Sequence, residues 1–262
     1  MPRRPDRPQV VAHRGASDEH AEHTLPAYRR AIDEGADALE CDVRLTADGH
    51  LVCVHDRRVE RTSDGHGPVS TLELAELDAL DFGSWKHPRR DLDEESPDLD
   101  PDGRRVLTLT TLLETVAAAE RSVWLAIETK HPTRYAGLVE RRLVETLAGF
   151  DVTARVMSFS WLSLRRVHER APGLPTVYLM DRVPMRFRDG GLPHGCSIAG
   201  LSMRTVRSRP EQVTRTKARG HQVYVYTVNE PDDVARCLDL GVDAIITDRP
   251  GPTRKLVDAH DS

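Results

Sequence analysis

The chain has 262 residues, of which 39% are hydrophobic and 30% charged, with a formal charge of −5. That length suits one large α/β domain with an ample core, and the composition is ordinary for a soluble globular protein. A net acidic chain is disfavoured as a general nucleic-acid binder, because duplex phosphates reward a basic surface, although a small basic pocket for one phosphate stays compatible.

The N-terminal nine residues are rich in Pro and Arg and run straight into Val10-Val11-Ala12, without the apolar core of a secretory signal. No uncharged apolar run approaches a membrane span, so a cytoplasmic protein without an integral membrane segment is expected. The first strand is expected over residues 10–13 and a helix over 25–34, with Thr24 as N-cap, Pro26 in the first turn and Gly35 closing it. Strands over 38–45 and 51–55 are separated only by Thr46-Ala47-Asp48-Gly49-His50, too short for a parallel crossover. They must form an antiparallel hairpin, and Asp48-Gly49 reads as its two-residue turn.

Residues 56–105 break the pattern, being polar, rich in Gly and Pro, with one short amphipathic helix near 71–80. They read as an insertion at a barrel mouth, in which 88–105 is a mobile acidic loop and 91–102 a solvated segment or part of a lid. Regular alternation then resumes. Helices are expected over 109–119, 134–147, 161–170, 210–219 and 231–240, the last opened by Pro231 after Asn229. Strands are expected over 124–129, 155–159, 176–180, 197–202, 222–228 and 244–247. Strand–helix alternation implies a parallel sheet, and this length favours closure into an eight-stranded (β/α)8 barrel, a TIM barrel, with the second hairpin arm outside it. The four cysteines show no CxxC spacing, and Cys41 and Cys53 lie in apolar runs as small packing residues. Nothing in the pattern specifies an oligomeric state.

The chemistry collects at strand ends. In Glu40-Cys41-Asp42, alternation turns both carboxylates to one face. Such a pair is either solvated or shares a hard cation such as Mg²⁺ or Ca²⁺. With a two-residue turn, Asp42 pairs with His55 across the hairpin, although a one-residue slip would undo this. Taken alone, His55 reads equally as a surface histidine. His13-Arg14-Gly15 ends the first strand. There His13 is either a buried structural residue or a group that moves protons, and Arg14 suits a phosphate. Glu128 and Lys130 share a face at another strand end, as a salt bridge or as a site for metal and phosphate together. As a set, two histidines, three carboxylates, one arginine and one lysine fit phosphoryl chemistry.

These segments resemble the glycerophosphodiester phosphodiesterase family. The match runs in order through His13-Arg14-Gly15, Glu22-His23-Thr24-Leu25, Glu40-Cys41-Asp42-Val43, Thr46-Ala47-Asp48-Gly49, His55-Asp56 and Arg61-Thr62-Ser63-Asp64-Gly65. It continues through Leu107-Thr108-Leu109, Ile127-Glu128-Thr129-Lys130, Tyr226-Thr227-Val228-Asn229 and Ile246-Thr247-Asp248-Arg249-Pro250. The resemblance implies one TIM-barrel domain across 1–262 with an insertion at 57–105. It implies His13 and His55 as general acid and base, and Glu40, Asp42 and Glu128 as ligands of Mg²⁺ or Ca²⁺. Arg14 and Lys130 would bind phosphate, and Phe159 and Tyr226 would line the substrate pocket. The implied reaction cleaves a small-molecule glycerophosphodiester to an alcohol and glycerol 3-phosphate. A lyase of lysophospholipase D or sphingomyelinase D type, forming a cyclic phosphate, and a non-catalytic phosphodiester-binding protein are the alternatives. The chain departs from the family at His23, where Asn is usual, and at Tyr226, where Trp is frequent.

Overall fold

The computed structural model describes residues 7–86, 101–131, 133–135 and 137–260. Most of the stretch read as an acidic loop and lid, positions 87–100, lies outside them. Nine strands are named among the described residues: β1 (Gln9–His13), β2 (Ala38–Leu45), β3 (Leu51–Cys53), β4 (Trp124–Thr129), β5 (Ala154–Ser158), β6 (Thr176–Met180), β7 (Ile198–Ser202), β8 (Gln222–Tyr226) and β9 (Ala244–Thr247). All except β3 pair in parallel in the order β1-β2-β4-β5-β6-β7-β8-β9, and β9 pairs back to β1. The fold is a closed eight-stranded TIM barrel, with β3 as an antiparallel arm on β2.

Strand parity builds its two cores. Val11, Ala38, Trp124, Ala126, Met157, Val177, Leu179, Tyr224 and Ile246 pack together inside the barrel. Their neighbours Val10, Ala12, Leu39, Cys41, Leu125 and Ile127 face outward to the helices. The helices named among the described residues are α1 (Leu25–Asp33), α2 (Leu74–Asp78), α3 (Leu109–Ala117), α4 (Leu138–Leu147), α5 (Trp161–Arg170), α6 (Met203–Ser208), α7 (Glu211–Ala218), α8 (Pro231–Asp239) and α9 (Pro250–His260). On α3, Leu109, Leu112, Leu113 and Val116 follow the 3.6-residue period and are all buried. Each such burial contributes about 1.5–3 kcal/mol.

Several local expectations are corrected. α4 begins at Leu138 because Gly137, in the left-handed region at φ +79°, breaks the backbone before it. Thr24 occupies the N-cap of α1 without capping it; its hydroxyl donates to the Ala21 carbonyl instead (2.7 Å). α8 is not the last helix, since α9 follows, and α6 was not anticipated.

The hairpin correction matters most. The register pairs Val43 with Cys53 and Leu45 with Leu51, and Thr46 N–H donates to the His50 carbonyl (2.9 Å). The loop is therefore the three residues Ala47-Asp48-Gly49, with Gly49 at φ +89° supplying the left-handed position that a three-residue hairpin requires. Asp42 consequently accepts from Val54 N–H rather than lying opposite His55.

The described part of 57–105 contributes Val59, Val69, Leu77 and Phe82 to a satellite core shared with Val52, Val54 and Val106. Its helix α2 carries a Glu73/Glu76 capping box. Among the described residues, no helix is long and apolar enough to cross a membrane. Cys41, Cys53 and Cys237 are buried free thiols.

Gly15 makes the sharp exit from β1. Its φ is +87°, and a Cβ there would lie 2.7 Å from the Ala27 backbone. Gly15→Ala is expected to cost about 3 kcal/mol, combining left-handed strain with overlap in a packed region. Urea unfolding checks this as a lower midpoint at unchanged slope.

Candidate active site

The ends of β1, β2 and β4 come together by register: His13 pairs with Glu40, and Asp42 with Glu128. With even positions of β2 and β4 turned inward, Glu40, Asp42 and Glu128 meet above the apolar interior. All three are buried, and their oxygens lie within 4.8 Å of one another. Lys130 Nζ bridges Asp42 Oδ1 (3.2 Å) and Glu128 Oε1 (2.8 Å). Arg14 Nε is 3.1 Å from Asp42 Oδ2, and the Arg14 N–H donates to Glu40 Oε2 (3.1 Å).

The charge balance falls short of these three carboxylates. Burial, then repulsion from Asp42 and Glu128, pushes the Glu40 carboxyl well above its ordinary value. Burial and Asp42 push Glu128 up to about 7. Asp42 is held well below the ordinary range, because bonding to His23 and the charge of Lys130 outweigh its burial. Arg14 is shared with Glu22, so Lys130 and Arg14 do not offset three ionised carboxylates; Glu40 and Glu128 hold their protons more tightly instead, and a divalent cation would take the place of those protons. Three converging carboxylates are the donor set of a hard cation. The residues fit one.

Each candidate histidine has a carboxylate at its Nδ1. His13 Nδ1 lies 2.6 Å from Asp248 Oδ1, and His13 Nε2 lies 4.0 Å from Glu40 Oε2. Asp248 is itself fixed: Ser17 Oγ donates to Oδ1 (3.0 Å), and Asn229 Nδ2 donates to Oδ2 (2.6 Å). Burial raises the Asp248 carboxyl, but the bonds from His13, Asn229 and Ser17 prevail and hold it at about 2. His55 Nδ1 lies 2.7 Å from Asp56 Oδ1, while Arg44 donates twice to the His55 carbonyl (3.0 and 2.7 Å). Burial, aided by Arg14 and Lys130 and opposed by Asp42 and Asp56, lowers the His55 imidazole to about 4. His55 thus shares the electrostatic environment of the cluster, but its bonded partner is Asp56, not Asp42.

Asp42 is bonded by His23, whose Nε2 lies 2.9 Å from Oδ2. The other ring nitrogen lies 2.8 Å from the Tyr28 hydroxyl, which donates to the Glu40 carbonyl (3.0 Å). The departure from Asn at this position is therefore filled by a buried imidazole at φ +60°, in the region where Asn is the usual non-glycine residue. Arg61, from the insertion, links the two sides of the site. It donates through Nε to Asp56 Oδ2 (2.5 Å) and through both terminal nitrogens to Glu22 (2.7 Å each), which also accepts from Arg14 (3.0 Å).

Phe159 and Tyr226 meet edge to face across the mouth, with centroids 6.0 Å apart. The sequence reading did not single out Asp248, Asn229, Asp56 or Arg61 as individual site residues. All four lie inside the segments that carried the resemblance. Such partners become visible only once the chain closes, since His13 and Asp248 are 235 positions apart.

Similarity to known proteins runs over nearly the whole chain. Residues 13–252 match the glycerophosphoryl diester phosphodiesterase family. The chain is 43% identical over 256 residues to a probable glycerophosphodiester phosphodiesterase 1 of Mycobacterium tuberculosis, covering 94% of this chain and 91% of that protein. It is 34% identical to a Bacillus subtilis glycerophosphodiester phosphodiesterase, covering 96% of this chain and 87% of that one. A solved phosphodiesterase from Oleispira antarctica, in complex with the product sn-glycerol-3-phosphate, superimposes with a TM-score of 0.81 at 26% identity, covering 96% and 97% of the two chains.

Proposed function

The chain belongs to the glycerophosphoryl diester phosphodiesterase family, and from that premise we propose that it hydrolyses glycerophosphodiesters to an alcohol and sn-glycerol 3-phosphate. The observation that carries this reading is the meeting of three buried carboxylates with His13 at one rim, beside a second imidazole that has its own aspartate. Glu40, Asp42 and Glu128 would hold Mg²⁺ or Ca²⁺, hard ions matched to oxygen donors. When bound, that ion supplies Lewis-acid neutralisation of the phosphate oxygens.

The remaining work falls to side chains. Arg14 and Lys130 provide positive charge for the phosphodiester at the edge of the carboxylate cluster. Asp248 and Asp56 each accept from an Nδ1–H, which fixes the tautomer and leaves Nε2 as the atom where a proton moves. One imidazole takes the proton of the attacking oxygen, and the other gives one to the leaving alkoxide. Phe159 and Tyr226 form an apolar wall for the organic part of the substrate.

The testing experiment follows glycerophosphocholine turnover by phosphorus NMR in ¹⁸O-labelled water. Glycerol 3-phosphate carrying one solvent oxygen from the first turnovers is expected. A cyclic phosphate that persists would replace hydrolysis by lyase chemistry, and absence of turnover with every divalent ion would reduce the protein to a binder.

Arg61 offers a check on the supporting network. Arg61→Ala is expected to lower kcat/KM by about tenfold or more, since outer partners of a site usually carry 10–100-fold. Arg61→Lys keeps one charge but loses the fork, and should fall between the two. Steady-state kinetics read both.

A further inference from the structure

We propose that a recess beside the catalytic mouth binds a second anionic group, a phosphate monoester carried on the alcohol portion of the glycerophosphodiester. This rests on the phosphodiesterase reading above. The recess holds about 550 Å3 and is lined by Arg182, Arg188, Arg204 and Arg209, with Asp181 at one side. All four guanidinium-bearing residues are exposed. None has an ion-pair partner among the described residues, whereas arginines around them do: Arg207 pairs with Asp233, and Arg219 with Asp189.

In a chain of net charge −5, four like charges around one concavity are a local excess that folding itself does not require. Planar guanidinium groups match phosphate oxygens in paired bonds, so the concavity has the chemistry of a phosphomonoester site.

Its position connects it to the reaction. Asp181 and Arg182 follow β6, and Arg204 lies on α6 directly after β7, so the recess opens on the same barrel face as His13 and Glu128. Tyr226, at the end of β8, spans the gap. Its hydroxyl is 3.5 Å from Asp181 Oδ1, its ring packs on Phe159, and its ionisation is disfavoured by burial and by both Asp181 and Glu128. A substrate held at the carboxylate cluster and crossing Tyr226 arrives at the arginines. The lone carboxylate, Asp181, sits on the Tyr226 side of the recess. The anion therefore belongs at the outer, all-arginine side.

The test compares glycerophosphoglycerol with the same diester phosphorylated on its terminal hydroxyl, using the full chain with divalent cation. Wild type is expected to favour the phosphorylated diester by about tenfold or more in kcat/KM, through KM, as expected for one charge-assisted contact or better. Arg182→Ala/Arg204→Ala should abolish the preference and leave kcat/KM for the uncharged alcohol within about twofold. Arg182→Lys/Arg204→Lys, which keeps both charges and guards against a misfolded alanine pair, should retain most of it. Equal rates for both diesters in wild type, or a preference that survives the alanine pair, would overturn the proposal while leaving the phosphodiesterase reading intact. No turnover of either diester would overturn that reading, and this one with it.

Discussion

Alanine at either His13 or His55 is expected to lower kcat by about 10²–10⁴-fold, the range that a positioned proton-transfer group supplies. The two losses should be far from additive, because each imidazole serves the same transition state. The folds should survive, since both side chains lie at the rim and neither is a core residue. The pH profile of kcat/KM then distinguishes the roles. With His55 lowered to about 4, it is neutral across the physiological range in the free enzyme. If it acts as the base, activity falls as pH drops through about 4; if it acts as the acid, activity falls as pH rises above that point. Either way, His55→Ala removes that limb. An unchanged profile in His55→Ala, with wild-type kcat, would remove His55 from the mechanism.

Stripping divalent ions is expected to abolish activity, with return on adding Mg²⁺, Ca²⁺ or Mn²⁺. It should also expose a pH-dependent instability that needs no activity assay. In the cation-free protein, Glu128 has its folded pKa raised to about 7, above the ordinary 4.5, and Glu40 is also raised well above its ordinary value. A raised carboxyl adds stability that is complete below its unfolded pKa and is lost as pH rises through the folded one. The melting temperature of the stripped protein should therefore fall between about pH 6.5 and 8, above the range in which the lowered His23 and His55 add stability as pH rises. A saturating divalent cation should cancel that fall by taking the place of the protons. Glu128→Gln should flatten the curve and weaken cation binding by about 100-fold or more, since even outer partners of a metal site act on that scale. Differential scanning fluorimetry reads the melting curves, and titration calorimetry reads the affinity. A stripped protein with a flat curve over this range would show that the carboxylates are satisfied without a cation.

The barrel was legible because its signals are local. Parity in Ala38–Leu45 and Trp124–Thr129 separates the outward apolar set from Glu40, Asp42 and Glu128, and the strand bounds follow from apolar runs ended by charge. Convergence of the three carboxylates followed from parity plus the rule that barrel sites gather at strand ends. The hairpin was misread for an equally local reason. Asp48-Gly49 suits a two-residue turn, but Gly49 also satisfies the last position of a three-residue loop, and Asp48 uses its carboxylate to accept from Thr46 Oγ1 and Leu74 N–H. That tertiary bond to α2 favours the longer loop, and the one-residue slip moves Val54 opposite Asp42. His55 keeps its place near the cluster through Asp56 and Arg44, neither of which pairing arithmetic includes.

The supporting residues were hidden for a different reason. His23 could be read as a loop substitution, but its bond to Asp42 depends on a left-handed backbone and on Tyr28 arriving from α1. Asp248 and Asn229 reach His13 only when β9 closes against β1. Helices α6 and α9 lacked a long apolar period: α6 is six residues long and rich in arginine, and α9 buries Pro250, Thr253, Arg254 and Val257 rather than a run of large aliphatics.

Anomalous diffraction from crystals grown with Mn²⁺ tests the central claim most directly. The account predicts a peak within about 2.0–2.4 Å of carboxylate oxygens from Glu40, Asp42 and Glu128, as hard cations bind oxygen. It also predicts the Nε2 atoms of His13 and His55 on either side of a bound glycerophosphate. A fully active enzyme whose manganese lies elsewhere, with those three carboxylates bonded only to Lys130, Arg14 and His23, would contradict it.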